Sequence, residues 1–378
     1  MPNTNEVKRV KKKRELSAFE KKLTDLTIKF TPISFTQKLF FVDHLRTMVS
    51  AGLSLVESLG ILSRETANKR FKGIIGQIKN DVEKGEQFSE VLAKHPKVFP
   101  SIYVQMIASG EVSGQLETVL EQITEQMKKT RELLSSIRGA LIYPAVILVA
   151  MAGIGILMAT VVLPKILELF KDFDAELPLA TQILIVVIDF VSKPLNLVLI
   201  LILTISFFIG FIYLLKKSLD FKKFIHNINL HIPIIGPVIK KINLAKFSMT
   251  LSSLLKSTIP IITAVGITAE TCGNVLYQDT LKMAAESIKK GDPLSQILHE
   301  NEKLFPPMVT EMIMVGERTG EIEKLLNELA EFYGDEVDKT MKNFATIIEP
   351  IIILVLGVAV AGIAVAVVMP MYSLVQSF

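Results

Sequence analysis

Three long apolar stretches without a charged residue dominate the hydropathy pattern of this chain. They are Leu141–Leu163 with 23 residues, Leu195–Leu215 with 21 and Ile351–Met369 with 19. Because roughly 18 consecutive apolar residues are enough to mark a transmembrane helix, each stretch predicts one membrane span. We therefore expect a membrane protein rather than a simple soluble enzyme.

Outside these stretches, apolar residues recur at helical spacing. Before the first stretch they are Leu116, Val119, Leu120, Ile123 and Met127, and before the third they are Ile322, Leu325, Leu326, Leu329 and Tyr333. This period predicts amphipathic helices, and the alternation typical of strands is absent. Ser54 and Glu57 fit a capping box. We predict an all-α protein in which each polar segment is a small helical bundle, and the last helix of each runs on into the membrane.

The two polar segments are copies of one another. A shift of 206 residues aligns the two halves from residue 40 to residue 164 without a gap, and 14 of the 40 residues in 81–120 are identical. The matched pairs include Gly60 with Gly266, Gly85 with Gly291, Gly110 with Gly316, Gly114 with Gly320, Pro144 with Pro350 and Pro164 with Pro370. The repeat unit is a polar domain followed by one membrane span.

The middle apolar stretch has no counterpart in the repeat, and the direction of the spans explains why. If both copies enter the membrane the same way, the chain must cross back between them, and Leu195–Leu215 is the predicted return crossing. Positive charges agree, because Lys and Arg mark the cytoplasmic side of a span. They precede the first span, follow the second and precede the third: Lys128, Lys129, Arg131, Arg138, Lys216, Lys217, Lys222, Lys223, Lys339 and Lys342. No signal peptide opens the chain, so the N-terminus and both domains are expected in the cytoplasm.

These arguments predict the following organisation. A basic, disordered tail (1–34) precedes the first cytoplasmic helical domain (35–140), transmembrane helix 1 (141–163), a short external loop (164–182), transmembrane helix 2 (183–215), the second cytoplasmic domain (216–346), transmembrane helix 3 (347–369) and an external tail (370–378).

Composition adds little chemistry to this layout. The net charge is +4, and one cysteine, Cys272, allows no internal disulfide. There is no phosphate-binding loop of the G-x-x-x-x-G-K-[ST] type, and the five histidines are scattered without metal-ligand spacing. We predict no catalytic residue, no cofactor and no metal. The basic run at residues 8–14 is either a solvated tail or a contact to anionic lipid, and it lacks the aromatic residues expected of nucleic-acid binding.

Two features near the membrane leave alternatives open. Small residues four apart, such as Gly357 and Ala361, would let spans 1 and 3 pack closely on other helices, although generic span composition explains them equally well. Glu349 precedes Pro350 where the first copy has Tyr143. It is either a carboxylate favoured by the dipole of a helix N-terminus or a partner contact or conformational switch, since ionisable groups at membrane depth are functional candidates.

Several motifs resemble those of the GspF/PilC family, the inner-membrane platform proteins of type II secretion and type IV pilus machines. Phe99-Pro100 followed by Ala108-Ser-Gly110-Glu111-Val-Ser-Gly114-Gln-Leu116 is similar to the F-P…A-G-E-x-S-G-x-L segment of that family. Tyr143-Pro144 and Glu349-Pro350 resemble its membrane-entrance signatures, at the start of spans 1 and 3. Phe35 and the following residues to Leu55 resemble its opening segment, except that the second copy has Ser257-Thr258 in place of Ala51-Gly52.

The resemblance implies a non-enzymatic platform in the bacterial cytoplasmic membrane. Its partners would be a separate hexameric assembly ATPase, pilin-like subunits and other inner-membrane assembly proteins, and it would form a homo-oligomer. The motif positions Gly110, Glu111, Gly114, Gly316, Glu317 and Gly320 then have two interpretations. They are partner contacts, or they are structural, with the glycines in a tight inter-helix turn and the glutamate capping the following helix. The alternative function is an oligomeric membrane transporter or channel built from the duplicated unit.

Overall fold

The computed structural model describes residues 31–162 and 194–376, and within these ranges the chain forms helices and no strand. The all-α prediction is confirmed for this part of the chain. The chain divides into two compact units, one up to residue 128 and the other from residue 129 onward.

From residue 31 onward, where the structure describes it, the first unit contains five helices and the start of a sixth. These are α1 (Phe35–Ser50), α2 (Leu55–Glu65), α3 (Lys69–Glu83), α4 (Phe88–Ala93), α5 (Ser101–Ser113) and α6 (Leu116–Leu157). Helix α6 crosses the boundary between the two units, so its later residues belong to the second.

The second unit contains the rest of α6, a short π-helix and eight further helices among the described residues. The π-helix is Met158–Val162, and the helices are α7 (Pro194–Lys217), α8 (Leu219–His231), α9 (Ile235–Lys256), α10 (Ile261–Thr271), α11 (Val275–Ile288), α12 (Leu294–His299), α13 (Pro307–Thr319) and α14 (Ile322–Gln376).

The repeat is visible in where the helices begin. Helices α10 to α14 start 206 residues after α2 to α6, in that order, at Ile261, Val275, Leu294, Pro307 and Ile322. Identical helix starts over five consecutive elements mean that the two copies fold in the same way locally, as the gap-free alignment of the sequence predicted.

Each copy is centred on three aromatic rings. In the first unit the rings of Phe41, Phe71 and Phe99 lie 5.5–6.5 Å apart, and all three side chains are buried. The equivalent residues of the second unit, Phe247, Tyr277 and Phe305, are buried with ring separations of 5.3 and 5.2 Å. The Tyr277 hydroxyl, which the first copy lacks, donates a hydrogen bond to the Leu304 carbonyl oxygen at 2.8 Å. The two cores therefore use the same large apolar contacts.

Local caps agree in part with the sequence predictions. Ser54 is the N-cap of α2, where its hydroxyl accepts a hydrogen bond from the Glu57 N–H at 3.2 Å. A complete capping box occurs at α1, where Ser34 and Gln37 each bond the other's backbone N–H. That box was not predicted from the sequence, although a serine followed three residues later by glutamine is its usual signal.

The loss of a glycine in the second copy does not change the backbone there. Gly52 ends α1 with φ of +86°, and the equivalent Thr258 ends α9 with φ of +59°. A β-branched residue is rare in this left-handed region, where an L-residue costs roughly 1–2 kcal/mol. The second copy therefore keeps this turn at the expense of local strain.

In the part of the chain that the structure describes, two helices, α6 and α14, are long and apolar enough to cross a membrane. In each, the apolar segment continues directly from the helix that packs in its domain, as the sequence analysis expected. A third candidate crossing lies in the pair α7 and α8, which pass the same test of length and composition together and are bent by 106°. The three-span layout thus stays a prediction. The tail 1–30, the loop 164–182 and the first residues of predicted helix 2 lie outside the described residues.

Candidate functional site

The glycine–glutamate motif occurs once in each copy, as Gly110–Gly114 and Gly316–Gly320. In both copies it forms the end of a partly buried helix, α5 or α13, and leads into the long helix that follows. Its four glycines fall into two kinds.

The first glycine of each motif permits close packing of two helices. A Cβ atom on Gly110 would lie 2.9 Å from Cγ2 of Val119, and one on Gly316 would lie 2.7 Å from Cα of Ile322. Such distances are too short for carbon atoms, so only glycine lets α6 and α14 approach in this way. These two residues are inside helices, and the expectation that they form a turn is wrong.

The second glycine of each motif does form the predicted turn. Gly114 and Gly320 have φ of +69° and +76° and end their helices in the left-handed conformation, which glycine adopts without steric cost. In the first copy the Gln115 N–H donates to the Gly110 carbonyl oxygen at 2.8 Å, which satisfies one of the last carbonyls of α5.

The glutamate of the motif binds the start of an earlier short helix. Both carboxylate oxygens of Glu111 accept hydrogen bonds from the first backbone N–H groups of α4, Phe88 at 2.7 Å and Ser89 at 2.9 Å. Glu317 does the same for α12, with Leu294 at 2.6 Å and Ser295 at 3.2 Å. The prediction that this glutamate caps the following helix is therefore wrong.

Helix geometry explains this choice. A side chain in a helix points back toward the N-terminus, so Glu111 and Glu317 are directed away from the helix that comes next. The short helices α4 and α12 have no cap from their own sequence, since Gln87 and Pro293 at the N-cap positions make no side-chain hydrogen bond there. The carboxylate supplies the missing acceptors, and its negative charge suits a helix N-terminus.

This clasp fixes a buried element. Phe88, Ser89, Val91 and Leu92 of α4 are all buried, as are Leu294, Ser295, Ile297 and Leu298 of α12. The geometry gives Glu111 and Glu317 a structural role, since their oxygens are occupied by backbone donors. A partner contact by the motif stays a prediction, and it would fall on the exposed tip, where Val112 is 82% exposed and its counterpart is Arg318.

The membrane-entrance residues lie in the middle of continuous helices. Pro144 is inside α6, and Glu349 and Pro350 are inside α14. Glu349 is thus not at a helix N-terminus, and the explanation by the helix dipole is wrong. Proline has no N–H, so each proline leaves the carbonyl four residues earlier without its helical partner.

Tyr143 and Glu349 occupy the same position in the two copies, and they meet. The Tyr143 hydroxyl donates to Oε1 of Glu349 at 3.5 Å, the long end of the hydrogen-bond range. This contact was not predicted from the sequence. The signal for it was the 206-residue offset itself, which places the two residues at the same height on their helices.

Within the described part of the second unit, α6 residues at three successive levels make polar contacts with α14, and this pair is the last of them. Seven residues earlier on α6, the Ser136 hydroxyl donates to Asp338. Seven residues before that, the Lys129 ammonium lies 3.7 Å from Glu331 and donates to Asn327 at 3.1 Å. A spacing of seven residues is typical of helices that run side by side. In each contact the donor comes from α6 and a carboxylate from α14.

A cleft of about 300 Å³ lies beside these contacts in the second unit. Its lining comes from α6, α9 and α14 and includes four acidic residues and one lysine: Glu132, Glu331, Asp335, Asp338 and Lys129. Among the residues that the structure describes, no group of three His, Cys, Asp or Glu side chains is placed to hold a metal ion. Cys272 is buried, which raises the pKa of its thiol to about 12 and suits a small core residue.

Comparison with known proteins adds a family resemblance across both copies. The family model described as type II secretion system (T2SS), protein F, matches residues 41–164 and again 247–370. The two matched stretches start 206 residues apart (247 − 41), so the internal repeat is confirmed.

Curated relatives are similar over most of their length. The chain is 35% identical to the type IV pilus assembly protein PilC of Thermus thermophilus over 335 residues, covering 89% of this chain and 82% of that protein. It is 34% identical to PilC of Myxococcus xanthus over 351 residues, covering 93% and 83%. It is 29% identical to the type II secretion system protein F of Pseudomonas aeruginosa over 334 residues, covering 88% and 81%.

The glutamate clasp can be tested by removing one acceptor at a time. We expect Glu111→Ala and Glu317→Ala each to lower the free energy of unfolding by about 2–3 kcal/mol, because two N–H groups lose their partner at a buried helix start. Glu111→Gln keeps one carbonyl oxygen as acceptor and should cost less. The measurement is thermal unfolding of the purified full-length protein in detergent, followed by circular dichroism. Glu121→Ala, an exposed carboxylate on α6, is the matched control, and equal stability of the Glu111 and Glu121 variants would contradict the clasp.

Proposed function

This chain belongs to the type II secretion system protein F family, and we propose that it is the inner-membrane platform protein of a type IV pilus or type II secretion machine. The observation that carries the proposal is that both copies match the family separately, and each copy ends in a helix that is apolar enough to cross a membrane. The family is a structural platform family and is not known as enzymatic.

A pilus machine is the first choice between the two systems. The PilC proteins of Thermus thermophilus and Myxococcus xanthus are 35% and 34% identical to the chain. The type II secretion system protein F of Pseudomonas aeruginosa is 29% identical. The platform would work with a separate assembly ATPase and with pilin-like subunits, beside other inner-membrane assembly proteins. Its own sequence has no phosphate-binding loop, which suits a chain whose motor is another protein.

We further propose a three-span topology with both helical domains and the N-terminus in the cytoplasm. Support comes from the positive charges beside α6, α7 and α14, because Lys and Arg gather on the cytoplasmic side. In the bent pair α7 and α8, the first member supplies the return crossing through Leu195–Leu215, which carries no charged residue.

A homo-oligomer is the arrangement that the membrane helices favour. A Cβ atom added to Gly153, Gly155, Gly357 or Gly362 meets no atom within 4 Å in the part of the chain that the structure describes. These small-residue surfaces therefore have room for a close helix contact, and a second copy of the chain is the proposed partner.

Deletion of the gene tests the platform function. We expect the loss of surface filaments, of secreted protein, or of both, because assembly cannot proceed without its membrane platform. Filaments are counted by electron microscopy, and secreted proteins are compared in culture supernatants, with a plasmid copy of the wild-type gene as the control. A deletion strain that keeps both outputs would exclude the platform.

The exposed tip of the first copy tests the partner contact. Val112→Asp places a charge where an apolar side chain is almost fully exposed. The fold should therefore stay intact, while the binding of a partner at this tip is weakened. We expect a wild-type unfolding temperature and reduced filament or secretion output. Met283→Asp, at a 55% exposed methionine of the second unit, is the control and should leave the output unchanged. Equal output from both variants would remove the tip as a contact.

Reporter fusions test the topology. A periplasm-active and a cytoplasm-active enzyme fused after Lys171 and after Lys217 should report opposite sides of the membrane, because one span is predicted to separate the two positions. Both fusions are scored in the same strain, with equal expression verified by blotting. If both positions report the same side, the return crossing does not exist.

A further inference from the structure

Helix α8 leaves the end of α7 at an angle of 106°. Four of its apolar residues lie on one side of the helix. Phe221, Phe224, Ile225 and Ile228 follow one another at positions i, i+3, i+4 and i+7. In a helix this spacing places the four side chains on one apolar stripe.

The opposite, polar face of α8 attaches it to its own domain. The Val275 N–H at the start of α11 donates to Nδ1 of His226 at 3.0 Å, and the Lys223 ammonium lies 2.9 Å from Asp279 of α11. Burial, assisted by repulsion from Lys222, lowers the pKa of His226, which favours the neutral ring that can accept this bond. Leu230, which lies off the stripe, is the buried residue of α8.

Two residues of the apolar stripe are exposed, and Phe221 and Ile225 are partly buried. Phe224 is 62% exposed and Ile228 is 41% exposed, the reverse of an ordinary domain helix, which buries its apolar face. The stripe begins in contact with α7, where the rings of Phe221 and Phe211 lie 5.9 Å apart edge to face. The uncovered apolar surface of α8 is therefore continuous with the apolar surface of α7.

The polar residues of α8 show that it does not continue the span. Asp220, Lys222, Lys223 and His231 lie within its 13 residues, and charges in the hydrocarbon core are costly. At a right angle to a span, a helix of this length extends along the membrane surface for about 20 Å. This is the usual geometry of an interfacial amphipathic helix.

Cationic and aromatic residues at the corner fit the level of the lipid headgroups. Lys216 and Lys217 form the last turn of α7, and the Lys217 ammonium lies 5.4 Å from the centre of the Tyr213 ring. Tyrosine is enriched where membrane meets water, and lysines at this depth are attracted to anionic lipids. Tyr213 is 58% exposed.

We propose that α8 lies flat on an anionic bilayer surface, with Phe224 and Ile228 among the acyl chains and Lys216, Lys217 and Lys222 at the headgroups. The inference rests on the proposed crossing of α7. Since the polar face of α8 holds the start of α11, the bilayer would set the height and tilt of the second domain through this helix.

Spin labels on the full-length protein test this placement. Single cysteines replace Phe224 or Ile228, and Cys272 can stay because its buried thiol, with its raised pKa, does not compete for the label. Three reference sites are labelled in the same way: Phe208 on α7, Asn227 on α8 but off the stripe, and Met283 on α11, all of them exposed. The protein is placed in nanodiscs of phosphatidylglycerol and phosphatidylcholine, and collisions of each label with oxygen and with a water-soluble nickel complex are measured.

We expect labels at 224 and 228 to collide with oxygen more than with nickel, as at 208, and labels at 227 and 283 to show the reverse. A water-like result at 224 and 228 with a lipid-like result at 208 overturns the proposal and leaves the crossing intact. A water-like result at 208 excludes the crossing and the proposal together. Low collisions with both reagents at 224 and 228 would mean that protein covers the stripe, which also overturns it.

A second experiment tests whether the negative charge of the lipid headgroups matters. We expect the triple variant Lys216→Gln, Lys217→Gln, Lys222→Gln to raise nickel collisions at 224 in the anionic discs, toward the level of the wild type in discs of phosphatidylcholine alone. A charge-matched control replaces Lys290, Lys303 and Lys324 by glutamine and should change nothing at 224. Equal collisions for the wild type in both lipids would exclude recognition of anionic headgroups.

Discussion

One helix in each copy must satisfy two environments, and the rest of the structure depends on that constraint. Near its start, α6 packs in a protein core, where Leu120 and Ile123 are fully buried. Further along, Val146 and Val149 of the same helix are 61% and 73% exposed, as suits side chains that face lipid. The first part needs one apolar face and the second is apolar all round. Because the helix is continuous, the position of its first residues in the domain sets the position at which it enters the membrane.

The features that set this starting point are the ones that both copies keep. Gly110 and Gly316 allow the long helix to approach the preceding one, and Gly114 and Gly320 make the turn between them. The glutamate clasp holds the short helix packed nearby. These are requirements of packing and of backbone hydrogen bonding, which a substitution can rarely satisfy in another way. The copies differ, for example, at Val112 and its counterpart Arg318, where both side chains are exposed and free of such requirements.

The helices and the repeat could be predicted from the sequence, because both depend on the spacing of residue types along the chain. The apolar period located α6 and α14, and the 206-residue offset predicted that the second copy repeats the first, as the five matching helix starts confirm. The sequence was not sufficient for contacts that depend on direction in space. Glu111 precedes one helix in the chain yet caps another, because side chains of a helix point backwards. Pro350 suggested a helix start, yet α14 passes through it, since the packed helix before it and the apolar helix after it stabilise a common axis.

The difference at Tyr143 and Glu349 follows from the way in which α6 and α14 meet. Repeat-related positions on the two helices lie side by side there, so identical residues would face each other. Two glutamates at this level would repel each other when both are ionised. Two tyrosines would provide no charged acceptor for a hydrogen bond. A hydroxyl donor on one helix and a carboxylate on the other form a hydrogen bond instead. Ser136 with Asp338 and Lys129 with Glu331 are not repeat-related pairs, but they too have the donor on α6 and the carboxylate on α14. The hydrogen bond at the membrane entrance thus depends on a difference between the two copies.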